Sequence, residues 1–97
     1  MSRVHHLPEA EEEILQAVNW YYDQEHTLAA DFYREFKKAE AAIESFPEFW
    51  PPLAGGYRRK PLNRYPYGLI YRLEDDLILV VALAHASRKP DYWRKRL

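Results

Sequence analysis

The chain has no cysteine and no long apolar run, and each absence excludes a class of protein. Without cysteine there is no disulfide framework and no thiolate metal site. The longest apolar run, residues 77–84, is far too short to span a bilayer. Early charge in residues 1–8 is followed by no apolar stretch, so no signal peptide is expected. We therefore expect a cytoplasmic protein with no membrane association.

The net charge of −1 hides an asymmetry between the two halves of the chain. Residues 1–50 hold 11 acidic and 4 basic side chains, whereas residues 51–97 hold 4 acidic and 10 basic ones. Two interpretations stay open at this stage. Either the halves neutralise each other across the fold, or the basic half faces a polyanion or an acidic partner.

Two helices are predicted in the first half of the chain. Pro8 suits a first helical turn, and the acidic side chains among residues 9–13 suit the positive end of the helix dipole. Apolar spacing carries this helix to about Gln24. A short break follows, with Thr27 as the predicted N-cap of the second helix, which ends at Phe46 before a proline. The second helix has the cleaner amphipathic pattern: Leu28, Phe32, Phe36, Ala39, Ile43 and Phe46.

The remainder of the chain has strand periodicity. Three segments are predicted as strands: residues 57–60, 65–73 and 77–84. Their short connections predict an antiparallel meander, in which the last, wholly apolar strand is buried on both faces. Residues 2–6 are predicted as an edge strand, and Pro90 can start a short helical tail. The predicted fold is α+β, in the order β-α-α-β-β-β, with a helical hairpin on an antiparallel sheet and residues 1–97 as a single domain.

Polar side chains follow the last predicted strand closely. His85, Arg88 and Tyr92, with Arg72 from the preceding strand, could support phosphodiester cleavage. An imidazole or a phenol can move a proton, and a guanidinium can stabilise the charge of the reacting phosphate. Each residue also has a structural explanation, such as a hydrogen-bonded His85 at a strand end or Trp93 filling the core. Taken singly, the structural explanation is favoured for each.

Two further patterns carry less information. His5 and His6 resemble a metal pair, but adjacent strand residues point to opposite faces and no third ligand is placed to join them. No metal or cofactor is therefore expected.

Trp20, Tyr21 and Tyr22 are consecutive on the first helix, with Tyr21 expected in the core. Their exposed members either pack under the loop after the second helix or form a contact patch for a partner.

Taken together, the pieces resemble the RelE/ParE superfamily of bacterial toxins from type II toxin–antitoxin systems. The resemblance rests on the order of elements and on four segments: residues 42–47, 57–59, 64–72 and 85–93. It covers nearly the whole chain, and the His-x-x-Arg-x-Pro-x-Tyr-Trp ending looks more like the ParE-like branch. That branch implies a toxin that inhibits growth through DNA gyrase, is neutralised by a cognate antitoxin, and needs neither catalytic residues nor a cofactor.

The RelE-like branch supplies an alternative, a metal-independent endoribonuclease that cuts mRNA on the ribosome. That resemblance would give catalytic roles to His85, Arg88, Tyr92 and Arg72. As we align it, the RelE-like branch has an important arginine in the middle strand, and this chain has Gly68 there. The departure counts against cleavage, because a guanidinium aimed at the phosphate is a large electrostatic contribution. A third alternative is a protein of the same fold that only binds a partner and is not toxic.

The resemblance also implies a binding surface for the antitoxin. An acidic antitoxin segment would be attracted to the basic half of the chain. The residues expected to bind the antitoxin or the target are Arg58, Arg59, Arg88, Trp93, Arg94 and Arg96. Tyr92 and Arg96 lie four positions apart, so they would share one face of a helical tail. Homodimer formation through the same surface, when antitoxin is absent, is a further expectation.

Overall fold

The computed structural model describes residues 3–97 and has an α+β fold. Its elements are β1 (Val4–His6), α1 (Pro8–Gln24), α2 (His26–Ser45), a 3-10 turn (Ala54–Gly56), β2 (Tyr57–Pro61), β3 (Tyr67–Glu74), β4 (Leu77–His85) and a second 3-10 turn (Arg94–Arg96). The four strands form one sheet in the order β1-β4-β3-β2. The predicted fold class and element order are confirmed, with a 3-10 turn as the short helical tail.

The sheet is mixed, because its first strand runs parallel to its neighbour. Strands β2, β3 and β4 form the predicted antiparallel meander. β1 joins the other edge of β4 in parallel, with Val4 opposite Ile78. No hairpin turn joins β1 to β4, because the chain passes through both helices before it enters the sheet again. The two strands can therefore run in the same direction. The predicted first strand included Ser2, which lies outside the described residues.

The helix boundaries follow the sequence closely, with one error. Helix α1 spans the predicted residues and has proline at its first turn. Helix α2 begins at His26 with Glu25 as the N-cap residue, so the prediction of Thr27 as N-cap was wrong. The Thr27 hydroxyl donates to Glu25 Oε1 at 2.9 Å instead of capping a backbone N–H. The helix ends at Ser45 with Phe46 as its C-cap.

The helical hairpin covers one face of the sheet and forms the main core with it. Alternate residues of β3 point to this face, as predicted, and Leu69 and Tyr71 are fully buried there. Helix α2 contributes the middle of its apolar pattern: Phe32, Phe36, Ala39 and Ile43. The two ends of that pattern are exposed: Leu28 in the first turn of α2 and Phe46 just after its last residue.

The outer face of the sheet is covered by the C-terminal segment. Trp93 is only 3% exposed and packs against the ring of Tyr57, with the ring centres 4.7 Å apart. A register shift between Ile70 and Tyr71 inserts one extra residue into β4. As a result, Val80 and Leu83 both belong to the core beneath the helices, and the residues between them face outward. The prediction that this strand is buried on both faces is thereby confirmed.

Within residues 3–97, no helix has the length and apolar content that a membrane-spanning segment requires.

Candidate functional site

The end of β4 and the segment after it separate two cavities. The first, which we call the helix-side cavity, has a volume of about 610 Å³ and lies between α1 and the adjoining ends of β3 and β4. It is lined by Glu13, Gln16, Ala17, Trp20, Tyr21, Pro66, Tyr67, Leu83, His85 and Arg88. The second, the outer-face pocket, has a volume of about 300 Å³. It is lined by Leu53, Arg59, Ile70 and residues 84–86 and 88–93.

His85 is held by the turn that follows its strand. Its Nδ1 lies 2.9 Å from the backbone nitrogen of Ser87 and 2.8 Å from the Ser87 hydroxyl. A backbone N–H can only donate, so Nδ1 accepts and the proton of the neutral ring lies on Nε2. The ring also packs edge-on against Tyr67, with centres 4.8 Å apart. In this arrangement Nε2 can donate a hydrogen bond but has no lone pair with which to act as a base.

The carboxylate of Glu13 on α1 anchors the C-terminal segment. The Tyr92 hydroxyl donates to Glu13 Oε2 at 2.6 Å. The Arg96 guanidinium donates to both carboxylate oxygens, at 2.8 Å and 3.0 Å. The backbone N–H of Leu83 donates to Oε1 at 3.1 Å. Tyr92 and Arg96 therefore share one partner, in agreement with the common face that their spacing predicts.

Tyr92 keeps its proton in this environment. Burial raises the pKa of the Tyr92 phenol well above its ordinary value, and the hydrogen bond to the Glu13 carboxylate raises it further. A phenol that already donates to a carboxylate is poorly placed to accept a proton from another group.

From the sequence, Glu13 was interpreted only as a carboxylate that stabilises the positive end of the α1 dipole. Its spacing from Ala10 and Ala17, two buried residues of α1, was the available signal that it faces the sheet.

Arg88 lies at the boundary of the two cavities, whereas Arg72 lines neither of them. The Arg88 guanidinium is 3.9 Å from the centre of the Tyr92 ring and 4.0 Å from Glu13 Oε2. Arg72 pairs with Leu79, six residues before His85 on β4, which is roughly 20 Å along the strand. Three of the four residues predicted for cleavage are thus close together, and the fourth is at the other end of the sheet.

Several of the residues expected to bind a partner make internal contacts. Arg58 donates to the backbone carbonyls of Glu48 and Trp50, which hold the loop after α2 against β2. Arg94 donates to the carbonyl of Ala54 at 2.8 Å and pairs with Asp91 at 2.9 Å. Trp93 and Arg96 are likewise occupied by the contacts with Tyr57 and Glu13 described above. These side chains hold the outer loops and the C-terminal segment in place.

Arg59 differs from these arginines because its guanidinium lies over Gly68. Arg59 is opposite Ile70 in the antiparallel pair, so both side chains are on the outer face. A Cβ built at Gly68 would lie 2.5 Å from the Arg59 Cζ. Within the described residues, the Arg59 guanidinium has no hydrogen-bond acceptor and no ion-pair partner. The space of the missing β3 side chain is therefore filled by a guanidinium from β2.

The charge asymmetry is partly neutralised across the fold. Arg64 pairs with Asp31 at 2.7 Å and with Glu35 at 3.1 Å, both on α2. Together with the Arg96–Glu13 pair, this supports the first of the two interpretations of the asymmetry. No group of three or more His, Asp or Glu side chains in the described part of the chain could hold a metal ion.

Comparisons with known proteins agree with this fold. The profile of the family described as "ParE toxin of type II toxin-antitoxin system, parDE" matches residues 4–90. A solved structure titled "Chromosomal ParDE TA system from P. aeruginosa" superposes with a TM-score of 0.77 over 90% of this chain and 98% of that chain, at 13% sequence identity. That identity supports the likeness of fold alone. No curated protein matches the chain in a sequence search. Because the family profile covers most of its length, the chain belongs to the ParE toxin family of type II toxin–antitoxin systems.

Proposed function

We propose that this toxin inhibits growth by acting on DNA gyrase in the cytoplasm and is neutralised by a cognate antitoxin. Membership of the ParE family supports the proposal. The observation that carries it is the state of the residues a nuclease would need. The Tyr92 hydroxyl is bound to Glu13, His85 Nδ1 is bound by Ser87, and Arg72 is distant from His85 along the sheet. A toxin that acts by binding an enzyme needs none of these groups to be free.

The proposed antitoxin would bind both by charge and by apolar contact. Arg59, Arg88 and Lys89 line the outer-face pocket and give it positive charge. On the other side of the β4 end, Trp20 is 56% exposed at the wall of the helix-side cavity. Reversing the charge of Arg59 and Arg88 should weaken antitoxin binding and reduce its dependence on salt. Unchanged affinity and salt dependence would contradict a role for these two side chains.

The target is tested by expressing the chain from an inducible promoter and by adding it to purified gyrase. We expect a DNA-damage response in cells and inhibition of supercoiling in vitro. Co-expression of the adjacent antitoxin gene, where one is present, should relieve the growth arrest. Growth arrest without any effect on gyrase, accompanied by cleavage of ribosome-bound mRNA, would contradict the gyrase proposal.

A ribosome-dependent nuclease is the second candidate, and one observation favours it. His85 and Arg88 both line the helix-side cavity, so an imidazole N–H and a guanidinium could contact one phosphate there. Mapping of mRNA ends after induction tests this candidate. His85→Ala and Arg88→Ala should abolish cleavage if it is correct. A protein that only binds its partner would produce neither effect on expression.

A further inference from the structure

The outer-face pocket contains a half-buried cation, Arg59, to which residues 3–97 offer no acceptor. The guanidinium of Arg59 carries five N–H donors and lines this pocket. The other half-buried arginines and lysines of residues 3–97 each donate to an oxygen atom: Arg58, Lys60, Arg72, Arg94 and Arg96. The Arg59 nitrogen atoms are not fully buried, since within the described residues only Arg58 Nε is both buried and without a partner. The Arg59 donors are therefore open to acceptor oxygens of a ligand.

Gly68 lies directly beneath the Arg59 guanidinium. A Cβ at this position would lie 2.5 Å from Arg59 Cζ, 2.6 Å from Nε and 2.8 Å from Nη2. Any other residue at this position would therefore push the guanidinium away. Glycine weakens a strand interior and often marks a close approach of another group to the backbone. Here the flat guanidinium occupies that approach.

The charges and walls of the pocket suit a single carboxylate on a protein. Lys89 lines the pocket and has no acceptor among the described residues, and Arg88 lines its edge. The one lining acid, Asp91, is already paired with Arg94 at 2.9 Å. The remaining walls are mainly apolar: Leu53, Ile70, Ala84, Pro90 and Trp93. A nucleic-acid backbone would instead need a row of cations that follows successive phosphates.

We propose that the outer-face pocket binds the carboxylate of an aspartate or glutamate side chain on an acidic segment of a partner protein, with Arg59 as the principal contact. The guanidinium fork can bind a carboxylate through two parallel hydrogen bonds, and the apolar walls accept the methylene groups of the same side chain. The inference rests on the proposed function only in naming the antitoxin as the source of the segment.

The probe is a tetraglutamate peptide blocked at both ends, titrated into the full-length isotope-labelled protein. The side-chain Nε–Hε resonance of Arg59, assigned with Arg59→Lys, should shift in a saturable way. Arg59→Gln should weaken binding by roughly tenfold or more, because a charge-assisted pair is lost. Gly68→Ala should weaken it similarly, because the new methyl group displaces the guanidinium. This change is expected to leave the protein folded, since the displaced atoms are the far end of a flexible side chain.

Lys95→Gln is the matched control, because Lys95 is an exposed cation of the same C-terminal segment and does not line the pocket. It should bind the peptide as the unchanged chain does. Equal losses in Arg59→Gln and Lys95→Gln would show non-specific attraction and overturn the proposal. So would normal binding by Gly68→Ala, or an Arg59 resonance that responds to a tetranucleotide and not to the peptide.

The two proposals can fail separately. A chain that causes no growth arrest but binds the peptide at Arg59 would contradict the proposed function and support the pocket. A chain that inhibits gyrase while the peptide leaves its Arg59 resonance unshifted would support the proposed function and contradict carboxylate binding in the pocket.

Discussion

Arg96, in the C-terminal segment, and Arg59, on β2, are both half-buried, yet their surroundings are opposite. Arg96 donates to both oxygens of Glu13, which also accepts from Tyr92 and from the Leu83 backbone. Arg59 lies on a glycine and has no acceptor within residues 3–97. The first arrangement holds the segment to the fold, because Arg96, Tyr92 and the Leu83 backbone all donate to one carboxylate. The second leaves hydrogen-bonding capacity for a ligand. Positive charge alone therefore does not identify a binding residue in this protein.

The largest effect is expected from removing the ring that fixes the C-terminal segment. Trp93→Ala should lower the free energy of unfolding by about 3–5 kcal/mol, because it leaves a cavity over the outer face of the sheet. Trp20→Ala is the matched control, since that indole is largely exposed. Urea denaturation measures both. A small loss in Trp93→Ala would show that the segment is not part of the stable fold.

Glu13→Gln tests the arrangement in which the Glu13 carboxylate binds Arg96. The neutral amide cannot satisfy Arg96 and Tyr92 as the carboxylate does, so we expect a loss of about 2–4 kcal/mol in the free energy of unfolding. Glu11→Gln, on the same helix at an exposed position, should change it by less than about 0.5 kcal/mol. If the two variants unfold alike, Glu13 does not anchor the segment.

Asp31 offers a third case, a carboxylate that binds a cation and a phenol. Hydrogen bonds from Tyr65 and Arg64 lower the Asp31 pKa from 3.8 to about 2. A carboxyl group with a lowered folded-state pKa stabilises the fold above its unfolded-state pKa, and that contribution is lost as the pH falls towards the folded value. The melting temperature should therefore drop between about pH 4 and pH 2.

Asp31→Asn should remove part of that acid-dependent drop while lowering the melting temperature at neutral pH. Asp23→Asn, an exposed change on α1, should leave the pH profile as it is. Identical profiles for Asp31→Asn and the unchanged chain would contradict the assignment of this pH dependence to Asp31.

The sequence predicted the fold well because the fold depends on local patterns. The apolar spacing of α2, the alternation along β3 and the apolar run of β4 each reflect which face is buried. The candidate site was predicted less completely, because its geometry depends on contacts between distant residues. Glu13 and Tyr92 are separated by 79 positions, and no local pattern joins them.

Gly68 shows the same limit for a single position. From the sequence, Gly68 stands on the middle strand where the RelE-like branch has an arginine, so a guanidinium is expected to be absent there. In the structure Arg59 fills that space from the neighbouring strand. Arg59 reaches this space because the strand register places it opposite Ile70. The sequence indicates where the strands are but does not fix their register, so this contact could not be predicted.

The smallest effect is expected for Arg59→Gln, and it is the sharpest test of the comparison. Since Arg59 has no acceptor within the described chain, its removal should change the free energy of unfolding by less than about 0.5 kcal/mol. Arg96→Gln should cost about 1–3 kcal/mol, because it leaves the Glu13 carboxylate without its bidentate partner. Thermal and urea unfolding of both variants measure the difference. A large loss in Arg59→Gln would mean that Arg59 stabilises the fold itself, and the contrast between a satisfied and an available guanidinium would no longer hold.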